Sequence, residues 1–278
     1  MNNININDSI LEKSYKKAIN GGAAGFMAMS FQVTSLMWLR TIVNHQYRTG
    51  YTFKSTYNTL MKEGGIIRFY RGYPYAMMLA PLSRFGDTAM NIGVMTILED
   101  KDLSLSTKTF LGSCGASLWR ISIMPFDTCK TSMQVNGSDG MKILRDKIRV
   151  NGYGTLYHGS LAAASSTLVG HFPWFFTYNY LNTNIPKQDS NLKNLGRSAF
   201  IGFMSSSLSD ITSNAFRVIK TNRQTNKDNI GYIKLTKDII KNDSLIGLFT
   251  RGLKTKIITN GIQGMCFTIM FDYLKNKN

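Results

Sequence analysis

Arg84, Asp87, Arg120 and Asp210 are ionisable residues set in long, largely apolar stretches of the chain. A charge in such a stretch faces a polar cavity or a partner, because leaving it against hydrocarbon is costly. Two chemistries are open to these four. The planar guanidinium donors of Arg84 and Arg120, with His171 at the position equivalent to Arg84, suit the reception of a carboxylate or phosphate. Alternatively the four make two internal ion pairs, Arg84 with Asp87 at i and i+3, and Arg120 with Asp210. A second basic set, Arg40, Lys130 and Lys220, is spaced by 90 and 90 residues. Nothing resembles catalysis: there is no Walker loop, no metal-ligand spacing and no nucleophile with a base, and the three histidines are His45, His158 and His171. The chain is therefore expected not to be an enzyme and to need no cofactor or metal.

The elements that must position these residues come in three copies. The basic set marks Ser35–Thr41, Pro125–Thr131 and Ala215–Thr221 as equivalent. About 30 residues after each anchor stand Tyr70-Arg71-Gly72, Tyr157-His158-Gly159 and Thr250-Arg251-Gly252. Gly22, Gly112 and Gly202 each precede an anchor by 18 residues. A period this long means stacked copies of one supersecondary unit. The boundaries fall at 1–101, 102–190 and 191–278, within one structural domain.

Composition narrows the setting. The 278 residues carry a formal charge of +17, which suits nucleic acid, anionic lipid or an anionic solute. Mean hydropathy is −0.12, yet the charge is clustered: Ala18–Leu39 and Gly159–Pro186 contain no Asp, Glu, Lys or Arg. Each is long enough for a bilayer core of about 20 helical residues. Six apolar segments are expected, near 14–45, 73–99, 104–135, 159–184, 193–224 and 253–276, with short amphipathic helices inside each repeat. Small residues such as Gly112, Gly115 and Gly202 favour close helix packing in a membrane. The linkers 48–71, 142–149 and 220–241 are basic and fall on one side if the spans alternate. A nucleic-acid binder explains the charge but not the uncharged stretches, so no nucleic acid is expected. Three scattered cysteines argue against a disulfide framework. Residues 1–17 hold Asp8 and Glu12 and no Arg, unlike a secretory signal or an Arg-rich transit peptide, so targeting is expected to be internal.

Pro125-Phe126-Asp127-Thr128-Cys129-Lys130 resembles the signature of the mitochondrial carrier family, which is Pro, any, acidic, any, any, basic, three times over. Glu63-Gly64 followed by Tyr70-Arg71-Gly72 is similar to the family's downstream motif. The resemblance implies an all-α membrane protein: six transmembrane helices in three pseudo-symmetric repeats around a central cavity, with short surface helices between the two helices of each repeat. It implies a monomeric transporter or antiporter of a small anionic or zwitterionic solute, working by alternating access in the mitochondrial inner membrane or another organelle membrane. By register, the matrix gate takes in Arg40, Asp127, Lys130, Arg217 and Lys220, with Met37 at the remaining acidic position. Asp127 is expected to pair with Lys220, and Arg217 to repel its neighbours. Pro125 is the sole kinking proline, Ser35 and Ala215 standing at its equivalents. A cytoplasmic gate on the even helices is implied at Tyr178, Asp272 and Lys275.

The family's solute contacts fall, by the same register, around Thr167 and Asn260, with Arg84, Asp87, His171, Arg120 and Asp210 a turn or two away. Family members also bind cardiolipin at helix starts, which points to Gly64, Gly72, Gly152, Gly159 and Gly252 as lipid sites, where backbone N–H groups receive phosphate. The depleted acidic positions leave a second reading open: a carrier fold retained without transport, as a scaffold.

Overall fold

The computed structural model describes residues 29–98, 101, 103–187 and 190–264. The described chain is helical, with no strand among those residues. It opens with α1 (residues 29–49), then α2 (Phe53–Phe69) and α3 (Tyr73–Ile97). The second repeat supplies α4 (Leu105–Ser122), α5 (Met124–Asn136), α6 (Gly140–Asn151) and α7 (Ser160–Asn184). The third supplies α8 (Asn191–Thr225), α9 (Tyr232–Thr250) and α10 (residues 253–264).

Local chemistry sets these ends. The Thr52 hydroxyl accepts from the Ser55 amide and starts α2; Ser104 does the same for α4 through the Thr107 amide. Proline lacks the N–H that would continue a helix and clashes with the preceding turn. The helix of the second repeat accordingly breaks at Ile123, with Pro125 in the first turn of α5. Where Ala215 stands instead, α8 runs unbroken for 35 residues, about 52 Å at 1.5 Å per residue. The surface helices break at matching places: Gly65 (φ 60°) inside α2, Gly152 (φ 75°) after α6 and Ser244 (φ 68°) inside α9.

The long helices form a ring. α3 packs on α4, α4 on α7, and α7 on α8. The circle closes through α1: the hydroxyls of Thr34 and Tyr73 meet at 2.7 Å on the α3 side, and the Gln32 amide donates to the Gln263 carbonyl of α10 at 3.2 Å on the other. Below, Val43 and Tyr47 of α1 pack with Ala215 and Val218 of α8 and with Leu235, Ile239 and Leu248 of α9, tying the third repeat to the first.

Glycines just before α3, α7 and α10 make close approaches to the neighbouring repeat. A Cβ on Gly72 (φ 85°) would sit 2.9 Å from the Lys130 carbonyl oxygen, and one on Gly159 (φ 88°) 3.0 Å from that of Lys220. Gly252 meets Tyr47 and Val43 of α1 in the same way. Each copy thus leans on the odd helix of the next copy, and only glycine fits both the left-handed turn and the gap.

α3 and α7, at 25 residues, are about 37 Å long, enough for a hydrocarbon core of about 30 Å. Yet no described helix is both long and apolar enough to cross a membrane by its hydropathy. The residues that lower the average point inward: Ser166, Thr167 and His171 of α7 all line the central cavity, while Phe172 and Phe176 on its outer face are 71% and 61% exposed.

Candidate functional site

The ring encloses a cavity of about 560 Å³. Asp87, Arg120, Thr167, His171, Asp210 and Asn260 line it, and so do Arg40, Asp127, Lys130, Arg217 and Lys220. The side chain of Arg84 lies outside the described ones, as do Asp272 and Lys275 altogether. Tyr178 is off the cavity; it stacks on Trp174 along α7, with ring centroids 5.0 Å apart.

Asp127 organises the floor. Lys130, one turn along α5, donates to its Oδ1 at 2.7 Å, and Lys220 of α8 reaches its Oδ2. Gln224 of α8 donates to the same Oδ2 at 3.2 Å and to the Thr128 hydroxyl at 3.0 Å. A buried carboxylate with two cations and an amide has its charge and lone pairs met, the condition under which such a cluster holds. Where Met37 replaces an acid, an amide takes over. Asn44 of α1 donates to Gln134 Oε1 of α5 at 2.6 Å, and Gln134 Nε2 lies 3.5 Å from the Met37 sulfur. Asn44, Gln134 and Gln224 are spaced by 90 and 90 residues, so the period already marked these three as equivalent.

The upper pairings differ from the simple expectation. Arg120 does not meet Asp210. Its guanidinium pairs with Asp87 of α3 at 2.7 Å and also reaches the Ser83 hydroxyl. The reason is the packing order: α4 lies directly on α3, whereas α7 stands between α4 and α8. The two helices touch closely at Gly86, where a Cβ would collide with the Trp119 ring, and the Trp119 indole donates to the Leu82 carbonyl at 2.9 Å. Asp210 instead takes Arg217, two turns along its own helix, and the Asn260 amide of α10. Arg217 also donates through Nε to the Ser166 hydroxyl of α7 at 3.2 Å. The repulsion expected at the acidic position is offset, because the guanidinium is met by the Asp210 carboxylate. His171 hydrogen-bonds the Ser113 hydroxyl of α4 at 3.0 Å.

Lys256 of α10 was not singled out from the sequence, although it falls four residues after Gly252 and faces the cavity. Its ammonium donates to Asn260 Oδ1 at 3.0 Å. Arg40 of α1 donates to Gln263 Oε1 at 3.2 Å. A further pair was hidden: Arg251 Nε meets Asp243 Oδ2 at 2.7 Å. Asp243 precedes Arg251 by eight residues, the spacing of Glu63 and Arg71, but Ser244 in place of glycine masks the match.

Beneath the floor each repeat holds the next. Buried Arg68 donates to the carbonyls of Gln134 and Val135 at 2.9 and 2.8 Å, Lys147 to that of Gln224 at 3.2 Å, and Arg251 to those of Tyr47 and Arg48 at 3.4 and 3.3 Å. Cations at helix C-termini satisfy carbonyls that lack an intrahelical partner. Gly64 lies within α2, Gly152 at the end of α6, and Gly72, Gly159 and Gly252 just before α3, α7 and α10. Gly72, Gly159 and Gly252 have the packing role described above, and Gly152 ends α6 at positive φ.

Residues 101–189 and 191–277 match the family model of the mitochondrial carrier protein. No curated protein matches the chain.

Proposed function

Because this chain belongs to the mitochondrial carrier family, we propose that it is a membrane-spanning transporter of a small anionic or zwitterionic metabolite, working by alternating access. The observation that carries this reading is the polar, cation-rich cavity closed at its floor by Asp127 between Lys130 and Lys220. An ion-pair floor opens only when a ligand's binding energy offsets the lost contacts, which couples cargo to conformation. Six crossings fit the outer surface: Phe85, Leu118, Leu161 and Phe172 are each more than 60% exposed and suit hydrocarbon. The basic linkers face the matrix in this reading, beside helix starts that suit cardiolipin phosphates, and the protein works as a monomer of the mitochondrial inner membrane. Tyr178, Asp272 and Lys275 belong to the opposite gate.

Reconstitution tests it. Liposomes carrying the purified protein are expected to take up at least one anionic or zwitterionic metabolite, and Arg120→Ala to abolish uptake while the protein stays folded. A well-folded wild type that moves nothing across a broad panel favours the scaffold reading. The depleted acidic positions, Met37 and Arg217, are the observation on that side.

A further inference from the structure

Among the described residues, more cations than carboxylates line the cavity. Asp87, Asp127 and Asp210 face Arg40, Arg120, Lys130, Arg217, Lys220 and Lys256. Asp87 is occupied by Arg120, Asp210 by Arg217, and Asp127 is shared by Lys130 and Lys220. Lys256 has no carboxylate within ion-pair distance among the described residues. Its charged neighbours are Asp210, Arg217, Arg40 and Lys130, one carboxylate against three cations. Its hydrogen bond to Asn260 uses one of the three ammonium donors, and among the described residues the other two meet no hydrogen-bond partner and suit a ligand.

The shortage has an identifiable origin. Met37 and Arg217 stand one repeat before and one after Asp127, so a single acid stands where the family's signature has three. Arg217 engages Asp210, the carboxylate whose charge acts on Lys256, and the described hydrogen bond of that ammonium is to a neutral amide. A cation held among cations is costly until an anion arrives.

The geometry points to a cargo with two anionic groups, a dicarboxylate or a phosphate monoester, whose charges are received by Lys256 on α10 and by Lys130 and Lys220 at the floor. The inference rests on the transport reading and narrows its solute class. The cargo supplies the negative charge that the floor lacks. By drawing on Lys130 and Lys220 it also competes with Asp127 for the contacts that close the floor. A monoanion satisfies one end only, and a zwitterion brings a positive group into a positive pocket, so both bind more weakly.

The test uses purified full-length wild type, Lys256→Gln and Lys256→Arg, in thermal unfolding and in liposome uptake. The probes are succinate and glycerol 3-phosphate as dianions, butyrate as a monoanion and glycine as a zwitterion, at constant ionic strength. At least one dianion is expected to stabilise the wild type at a concentration at least tenfold below that needed for butyrate or glycine. Lys256→Gln should lose that preference and Lys256→Arg should keep it. Succinate acting alone identifies the carboxylate class, and glycerol 3-phosphate acting alone the phosphate class. The inference is overturned if neither dianion stabilises the wild type, if butyrate or glycine matches them, or if Lys256→Gln responds as the wild type does. The two readings separate in the uptake arm. Lys256-dependent stabilisation without uptake keeps the dianion site and removes transport; uptake of butyrate or glycine that Lys256→Gln leaves intact keeps transport and removes the site.

Discussion

Arg217 holds Asp210 across two turns of α8, although it stands where the third repeat would match the acid Asp127. The pair converts a misplaced cation into a brace, with the Asp210 side chain 3% exposed and further satisfied by Asn260. Removing one partner of a buried pair leaves the other uncompensated, at about 3–5 kcal/mol. Asp210→Ala is therefore expected to destabilise strongly, and Arg217→Ala less, because its guanidinium is the more exposed member. The double substitution should cost less than the two singles together, with a coupling of about 1–3 kcal/mol in thermal or chemical unfolding. Additive losses would mean that the two side chains do not act as a unit.

Ser244 is the sole non-glycine residue at positive φ among those described, whereas the breaks in the other two repeats' surface helices fall on glycines, Gly65 and Gly152. A side chain there strains the backbone by about 1–3 kcal/mol. Ser244→Gly is expected to raise stability by about 1 kcal/mol, seen as a rise of about 2–4 °C in the melting temperature of a protein this size. Gly72→Ala is the opposite case. Its Cβ would meet the Lys130 carbonyl at 2.9 Å on a left-handed backbone, so melting should fall by several degrees and floor closure should suffer.

These contrasts explain what the sequence displayed. The threefold register, the helical segments and the cavity candidates were legible because covalent spacing carries them: residues 90 apart, such as Lys130 and Lys220, land on equivalent helices. The pairings were less legible, because they depend on which helices touch. Arg120 and Asp210 occupy equivalent positions, yet α7 intervenes and Asp87 is the nearer carboxylate. A lone lysine near a motif carries no signal in the sequence, and only the fold brings Lys256 among Arg40, Lys130 and Arg217. Asp243 was concealed by one substitution beside it, Ser244 for glycine.

Arg251 joins the last repeat to the first by donating to the Tyr47 and Arg48 carbonyls while paired with Asp243. No covalent link spans that seam among the described residues, so side-chain contacts must close it. Arg251→Ala should cost about 2–3 kcal/mol, since it leaves buried carbonyls and a carboxylate unmet. Arg251→Lys should recover only part of this, because an ammonium lacks the planar fork that serves all three acceptors. Limited proteolysis should then cut first between α9 and α10. A pattern unchanged from the wild type would place the stability of the seam elsewhere, in the Val43–Val218–Leu248 cluster.

His158 sits in the turn before α7, where the other copies have Arg71 and Arg251. Burial, then the nearby Arg223 and Lys147 charges, push its pKa down from 6.5 to about 4. Its Nδ1 is buried without a hydrogen-bond partner. The folded protein thus favours the neutral ring, while the unfolded chain takes up a proton near pH 6.5. The unfolded state binds more protons between those values, so stability falls as pH drops from about 6.5 toward 4. His158→Gln removes that dependence and leaves the carboxylates untouched. Melting temperature plotted against pH should be flatter for the variant across this window, and the two curves should run parallel above pH 7. Parallel curves throughout would mean that His158 titrates normally in the fold, and that the positive charge of Arg223 and Lys147 is screened from it.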